Sequence, residues 1–245
     1  MLPAAVNESS GLARSSRSGN FWTHNDSGGA AELYEVDTLG ILHQTKTLAV
    51  LQNTDWEALT DSPDGRLFIG DFGNNRNKRQ DLAVHVLDPQ GGIETIAFSY
   101  ADQPAFPPPA EAMNYDCEAF FFVHDSLHLF SKNWSKTNFY VRRYTLPATA
   151  GAYRIAPQDS LWINSPVTDA TISPSGQRFA LLTYSKILIF DSTEGNISLS
   201  RPLGCIKLYR KQAEAVLFLN ETDLLVSNEQ GRLYKLTARK RLRPY

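Results

Sequence analysis

The stretch 53–81, NTDWEALTDSPDGRLFIGDFGNNRNKRQD, decides the fold. An acidic entry, Asp55 and Glu57, leads into a short apolar run that ends in Ser62-Pro63-Asp64-Gly65. Pro presets φ, Asp bonds the local backbone and Gly accepts positive φ, so this tetrapeptide reverses the chain. A second strand, 67–70, then opens into a loop crowded with Asp, Asn, Arg and Lys.

The same plan recurs outward in both directions. A hydroxyl or acidic residue, then Gly or Ala, then an apolar residue or Thr, appears at Ser10-Gly11-Leu12, Glu57-Ala58-Leu59, Glu118-Ala119-Phe120, Asp169-Ala170-Thr171 and Glu214-Ala215-Val216. The copies lie roughly 45–60 residues apart, the period of a propeller blade. A second strand follows each copy, at 21–23, 67–69, 127–129, 179–181 and 224–226, and a third at 32–36, 82–87, 139–144, 187–190 and 232–236. Outer strands are expected at 41–48, 92–100, 159–164 and 198–208. Short runs rich in β-branched and aromatic residues, bounded by Gly, Pro, Asn and Asp, predict an all-β chain with no sizeable helix. Five repeats predict a single five-bladed β-propeller over residues 1–245, and fit better than six. The last repeat lacks an outer strand, so residues 2–6 are expected to supply it and close the ring. The Pro-rich segment 101–114 is expected to be a loop over one face.

Composition sets the outer limits. At 245 residues, 42% hydrophobic and 20% charged, the chain can bury a sizeable core. A net charge of −2 provides no field for nucleic acid. No apolar run reaches the ~18 residues that span a bilayer, and no signal peptide is visible. Cys117 and Cys205 are too few for a disulfide framework and are expected to be buried thiols.

Equivalent positions on the innermost strands of a propeller converge on one axis, which brings together Ser10, Glu57, Glu118, Asp169 and Glu214, with Glu8, Asp55 and Asp116 two residues before three of them. Four carboxylates on one axis do not all stay ionised without a cation. Hard oxygen donors without Cys or His select Ca²⁺ or Mg²⁺ over zinc. The alternative is that some of these acids accept backbone N–H groups of neighbouring blades and bind no metal. The loops after the second strands share one face and carry His24, Asn25, Asp26, Asp71, Asn74, Arg76, Lys132, Asn133, Trp134, Lys186 and Glu229. Polar groups converging around an aromatic suit a small-molecule or protein ligand. Lys132, Lys186 and Arg76 suit an anion, and His24 suits an acid or base near neutral pH. Turn chemistry alone explains many of these loop residues.

On Trp22-Thr23-His24-Asn25-Asp26-Ser27-Gly28, Asp55-Trp56-Glu57-Ala58-Leu59, Ile69-Gly70-Asp71-Phe72-Gly73-Asn74-Asn75 and Tyr115-Asp116-Cys117-Glu118-Ala119, the chain resembles a family of exported bacterial β-propeller proteins common in Bacteroidetes. Phe130-Ser131-Lys132-Asn133 and Ile172-Ser173-Pro174-Ser175-Gly176 extend the match to nearly the whole chain. The resemblance implies a propeller in an extracytoplasmic setting. More distantly the chain is similar to the calcium-activated nucleotidases (apyrases), five-bladed propellers with one axial Ca²⁺ held by Ser and Glu. That likeness implies Ser10, Glu57, Glu118 and Glu214 as ligands, with Asp169 where those proteins tend to have Ser. Six-bladed phytase, paraoxonase and gluconolactonase relatives also hold an axial Ca²⁺. The expected protein is therefore an exported, monomeric, calcium-binding propeller that serves as a ligand-binding or interaction module. The alternative is a calcium-dependent hydrolase, with phosphoesters as one substrate class.

Overall fold

In a computed structural model, the protein is described over residues 1–208, 212–228, 230–237 and 243, apart from the side chain of Glu194. Five small sheets form a ring, a five-bladed β-propeller. The first holds β1 (Ala13–Arg14), β2 (Asn20–Thr23), β3 (Glu32–Asp37) and β4 (Leu42–Thr47). The second holds β5 (Trp56–Asp61), β6 (Leu67–Asp71), β7 (Ala83–Leu87) and β8 (Ile93–Tyr100), with β12 (Gly151–Ile155) added at its outer edge. The third holds β9 (Asp116–Val123), β10 (Ser126–Lys132), β11 (Tyr140–Pro147) and β13 (Pro157–Trp162). The fourth holds β14 (Val167–Ile172), β15 (Arg178–Thr183), β16 (Lys186–Asp191) and β17 (Pro202–Lys207). The fifth holds β18 (Ala213–Phe218), β19 (Asp223–Asn228) and β20 (Leu233–Thr237). The only helical turns among the described residues are two of 3₁₀ type, and segment 101–114 is a loop but for one of them.

Burial grades from the axis outward. Inner strand β9 is buried along almost all its length, whereas outer strand β4 is almost wholly exposed. Each inner strand lies between two neighbouring blades, so its period-2 alternation sends alternate side chains to opposite seams. On β9, Phe120 and Phe122 join Phe68, Phe72 and Val84 of the second blade, while Ala119 and Phe121 join Phe179 and Phe190 of the fourth. Five such clusters fill the five seams, the last uniting Leu217 and Leu225 with Phe21 and Val36. Main-chain bonds also cross the seams, Phe122 N donating to Thr60 Oγ1 and Phe218 N to Thr171 Oγ1.

Closure differs from the expectation. Residues 2–6 form no strand; Val6 N bonds Pro3 O in a turn, so the segment cannot run alongside β20. Its Leu2 and Val6 side chains instead enter the seam between the fifth and first blades, and Leu2 N bonds Gly231 O. The Ser9 hydroxyl joins that seam through Thr23 Oγ1 at 2.9 Å and Ser227 Oγ at 3.1 Å. Cys117 is a free, buried thiol, and Cys205 is buried as well.

Candidate functional site

Inner strands β5, β9 and β18 each skip one residue in pairing with their second strands, and the skipped residues are Glu57, Glu118 and Glu214. A β-bulge re-aims a side chain, and here it turns three glutamates toward one end of the axis. In β14 the skipped residue is Thr168, so Asp169 stands where the other blades have Ala58, Ala119 and Ala215. The repeat alignment built on Asp169-Ala170 is therefore one residue out of step in this blade. Asp169 consequently faces backbone: Oδ2 accepts from Val216 N at 2.6 Å and Oδ1 from Ala170 N at 2.8 Å. Fully buried, its carboxyl is held well above the usual range by desolvation. Ser10 Oγ donates to Glu57 O at 3.0 Å, tying the first two blades at the same level.

The three glutamates line a cavity of about 510 Å³ to which all five blades contribute. Glu8, Ser10, Asp26, Asp55, Asn75, Lys132, Trp134, Tyr184 and Gln230 complete most of its wall. Asp26, Asp55 and Glu57 come closest together, each offering one oxygen within 4.8 Å of the others. Gly73 backs this trio, and a Cβ there would collide with Glu57 Oε1 and the Asp55 carboxylate. Burial first, then the surrounding carboxylates Glu118, Asp26, Asp116 and Asp55, push Glu57 well above its ordinary pKa. Asp55 is raised too, chiefly by burial, with Arg79 pulling against it. These donors fit a hard divalent cation, being oxygen only and partly desolvated, with room kept by a glycine.

Among the described residues, Lys132 is the cation of the cavity. It ends β10 rather than sitting in the following loop, is only 5% exposed, and bonds Glu118 Oε1. Its ammonium lies 5.1 Å from the Trp134 ring centroid and 5.7 Å from that of Tyr184. Burial works against its charge, yet Glu118 and Tyr184 together hold it above the ordinary lysine value. Trp134 is 41% exposed, with its Nε1 anchored on Asp116 Oδ2 at 2.5 Å. Burial raises the Asp116 carboxyl to about 6, against that bond and the nearby Lys132 charge.

Of the loop-face residues, Asp26, Lys132 and Trp134 line the cavity. Others hold the scaffold. His24 is fully buried against Gly11 and Trp56, its Nδ1 bonded to Asn25 O, and burial lowers it to about 4. Asn25 Nδ2 donates to Ala5 O. Asp71 pairs with Arg79 at 2.9 Å. Asn74 Oδ1 accepts Lys78 N and Arg79 N, and Asn133 Nδ2 donates to the carbonyls of Asn138 and Tyr140. Arg76 is exposed beyond the rim, Lys186 begins β16 away from the wall, and Glu229 lies outside the described residues. Asn75, Tyr184 and Gln230 went unmarked in the sequence, where they stand within polar loop strings that turn chemistry already explains.

At the opposite end of the axis sits a residue that sequence reasoning missed. Arg14 of β1 reaches across to Asp61 at 3.3 Å, Ile172 O at 3.3 Å and Phe218 O at 2.9 Å. These groups end β5, β14 and β18, so one guanidinium joins four of the five blades. The available signal was a basic residue at the end of an otherwise apolar run, Leu12-Ala13-Arg14.

No family model matches the chain, and no curated protein does. Among solved structures it is similar to that of U3-55K, with TM-score 0.50 and 10% identity over 93% of this chain and 64% of that one. It therefore spans less than two thirds of that protein's length. It is also similar to a gluconolactonase from Xanthomonas campestris, with TM-score 0.53 and 12% identity over 98% of this chain and 78% of the other. The likeness is one of fold. No helix among the described residues is long and apolar enough to cross a membrane.

Proposed function

We propose that this chain is a calcium-binding β-propeller that holds a small-molecule or protein ligand over its acidic axial mouth. The observation that carries this reading is the convergence of Asp26 from the first blade with Asp55 and Glu57 from the second. In this reading those three residues hold the ion, and Gly73 keeps space beside them. The ion supplies a positive centre on the cavity wall. Lys132 supplies another, and Trp134 presents an exposed ring to an anionic or polar ligand. Export belongs to the same proposal, resting on the resemblance to exported propellers. Calcium sites of extracellular modules work at roughly 10⁻⁴–10⁻³ M, a range that few carboxylates suffice to reach.

A calcium-dependent hydrolase is the second reading, favoured by the metal-ligand candidates lying on the wall of an open cavity and by the gluconolactonase likeness in fold. It ranks lower because His24, the histidine of the loop face, is buried and directed elsewhere.

Melting curves in chelator and in calcium test the proposal. Calcium at 100 times its dissociation constant should stabilise the parent by about 2.7 kcal/mol, and Asp55→Asn should abolish the response. A parent curve indifferent to both additions overturns it.

A further inference from the structure

Aromatic rings left to solvent gather on one edge of the third blade. Of the four most exposed Trp, Tyr and Phe side chains among the described residues, three belong here: Trp134 at 41%, Tyr140 at 47% and Trp162 at 50%. β10 ends at Lys132, β11 begins at Tyr140 and β13 ends at Trp162, so one end of the sheet carries all three residues in order away from the axis. Tyr140 and Trp162 are partners in the β11–β13 ladder, and Phe139 meets Trp162 edge to face at 6.1 Å. Neighbouring strands lie about 4.8 Å apart, so the strand ends bearing the row span roughly 10 Å. The inner end of the row is pinned: Trp134 N donates to Met113 O and its Nε1 to Asp116, while Asn133 Nδ2 and Ser135 Oγ cross-link the loop to Asn138. Trp134 also lines the axial cavity, where the Glu57 carboxylate, 5% exposed, accepts no hydrogen bond and makes no ion pair among the described residues.

We propose that Trp134, Tyr140 and Trp162 form a platform for a neutral oligosaccharide chain, one end of which enters the acidic mouth and donates hydroxyl hydrogen bonds to Glu57. The inference rests on the reading of that mouth as a ligand site and names the class of ligand; it does not depend on the ion. Trp and Tyr offer large, stiff contact area at little entropic cost, and flat rings suit the C–H faces of sugars. Charge selects against the other polymers that stack on rings. Single-stranded nucleic acid would bring phosphates against Glu8, Asp26, Asp55 and Glu57 at the mouth. A basic peptide would suit the mouth, but loop 133–140 carries an exposed Lys136 and no carboxylate to meet it. Uncharged hydroxyl groups satisfy the acceptors of the mouth without either repulsion, and the amides of Asn75 and Gln230 offer further partners there. A carboxylate buried without a donor is costly, so a hydroxyl delivered to Glu57 favours entry of the chain end.

Cellohexaose, mannohexaose, xylohexaose and chitohexaose, each beside its disaccharide, are titrated into the full chain in chelator and in calcium, with tryptophan fluorescence and calorimetry as readouts. At least one hexasaccharide should bind, and more tightly than its disaccharide. Trp162→Ala should weaken that hexasaccharide about tenfold and leave the disaccharide unchanged, because the outer ring serves only a longer chain. Trp134→Ala should weaken both, and Trp134→Phe, which keeps a ring at the mouth, should bind more tightly than Trp134→Ala. If Trp134→Ala fails to fold, the exposed Trp162 still decides the matter. Failure of all four sugars to bind, or equal hexasaccharide affinity in the parent and Trp162→Ala, overturns the inference. Oligolysine that quenches the tryptophans where no sugar binds assigns the row to a basic protein partner and overturns it as well. Sugar binding beside a melting curve indifferent to calcium removes the ion and leaves the inference standing; a calcium response without sugar binding does the reverse.

Discussion

The two ends of the propeller axis answer the same problem in opposite ways. At one end Arg14 meets a carboxylate and the carbonyls of two inner strands, so acceptors and donors are closely matched. At the other, Glu8, Asp26, Asp55, Glu57, Glu118 and Glu214 face a cavity whose one lining base among the described residues is Lys132. Balanced charge stabilises a structure; unbalanced charge, partly desolvated, leaves a site that further cations or donors can satisfy. The proposed ligand mouth is the acidic end, while Arg14 ties inner strands together at the other.

The distinction is open to attack, first along the inner strands. Asp169→Ala leaves the Val216 and Ala170 amides without their acceptor in a buried setting, and about 3 kcal/mol of stability should be lost in urea unfolding, with no recovery in calcium. Recovery by calcium would return Asp169 to the metal set. Next comes Arg14→Met, expected to cost about 2 kcal/mol because charge-assisted bonds at a partly exposed site are removed. Its melting temperature should shift equally in chelator and in calcium; a calcium-dependent shift would erase the contrast between the ends.

Acid sensitivity should arise in the body of a blade, away from both ends. His128 is lowered to about 3, by burial first and then by Arg143. The unfolded chain takes up that proton near pH 6.5 and the folded one resists it, so stability present above pH 6.5 falls as pH drops toward 3. Roughly 2 kcal/mol should be gone by pH 5, and His128→Gln should remove that part of the slope. Glu57 and Asp169, raised by burial, work in the opposite direction, so the parent-minus-variant difference is the quantity to follow. An unchanged slope would mean that the carboxylates at the axis govern the acid limb. The smallest expected effect is that of Asn133→Ala, about 1 kcal/mol, because its amide holds the Trp134 loop through two carbonyls. Ligand binding weakened far beyond that loss would bring Asn133 into direct contact with ligand.

Much of the fold was legible because turns, strand length and repeat period are local properties of the chain. Glu57-Ala58, Glu118-Ala119 and Glu214-Ala215 announced their convergence for the same reason. Asp169-Ala170 imitates them in letters, but bulge position is a property of the ladder, and the ladder skips Thr168. Lys132 looked like a loop cation because nothing local tells that β10 runs on through Ser131. Asn74 and Asn133 were recognisable as polar loop residues, but whether an amide faces ligand or its own backbone depends on its rotamer. The end segment was apolar at Leu2 and Val6 as a closing strand would be, yet the turn after Pro3 converts that pattern into seam filling.

One strand departs from the plan of independent blades. Between β11 and β13 the chain leaves the third blade, lays β12 parallel to β8 on the outer edge of the second, and returns. The repeats are therefore not interchangeable cassettes. A designer who excised the third blade to make a smaller ring, or grafted it elsewhere, would also strip the edge strand from its neighbour. Of the five units, the second and third travel only as a pair.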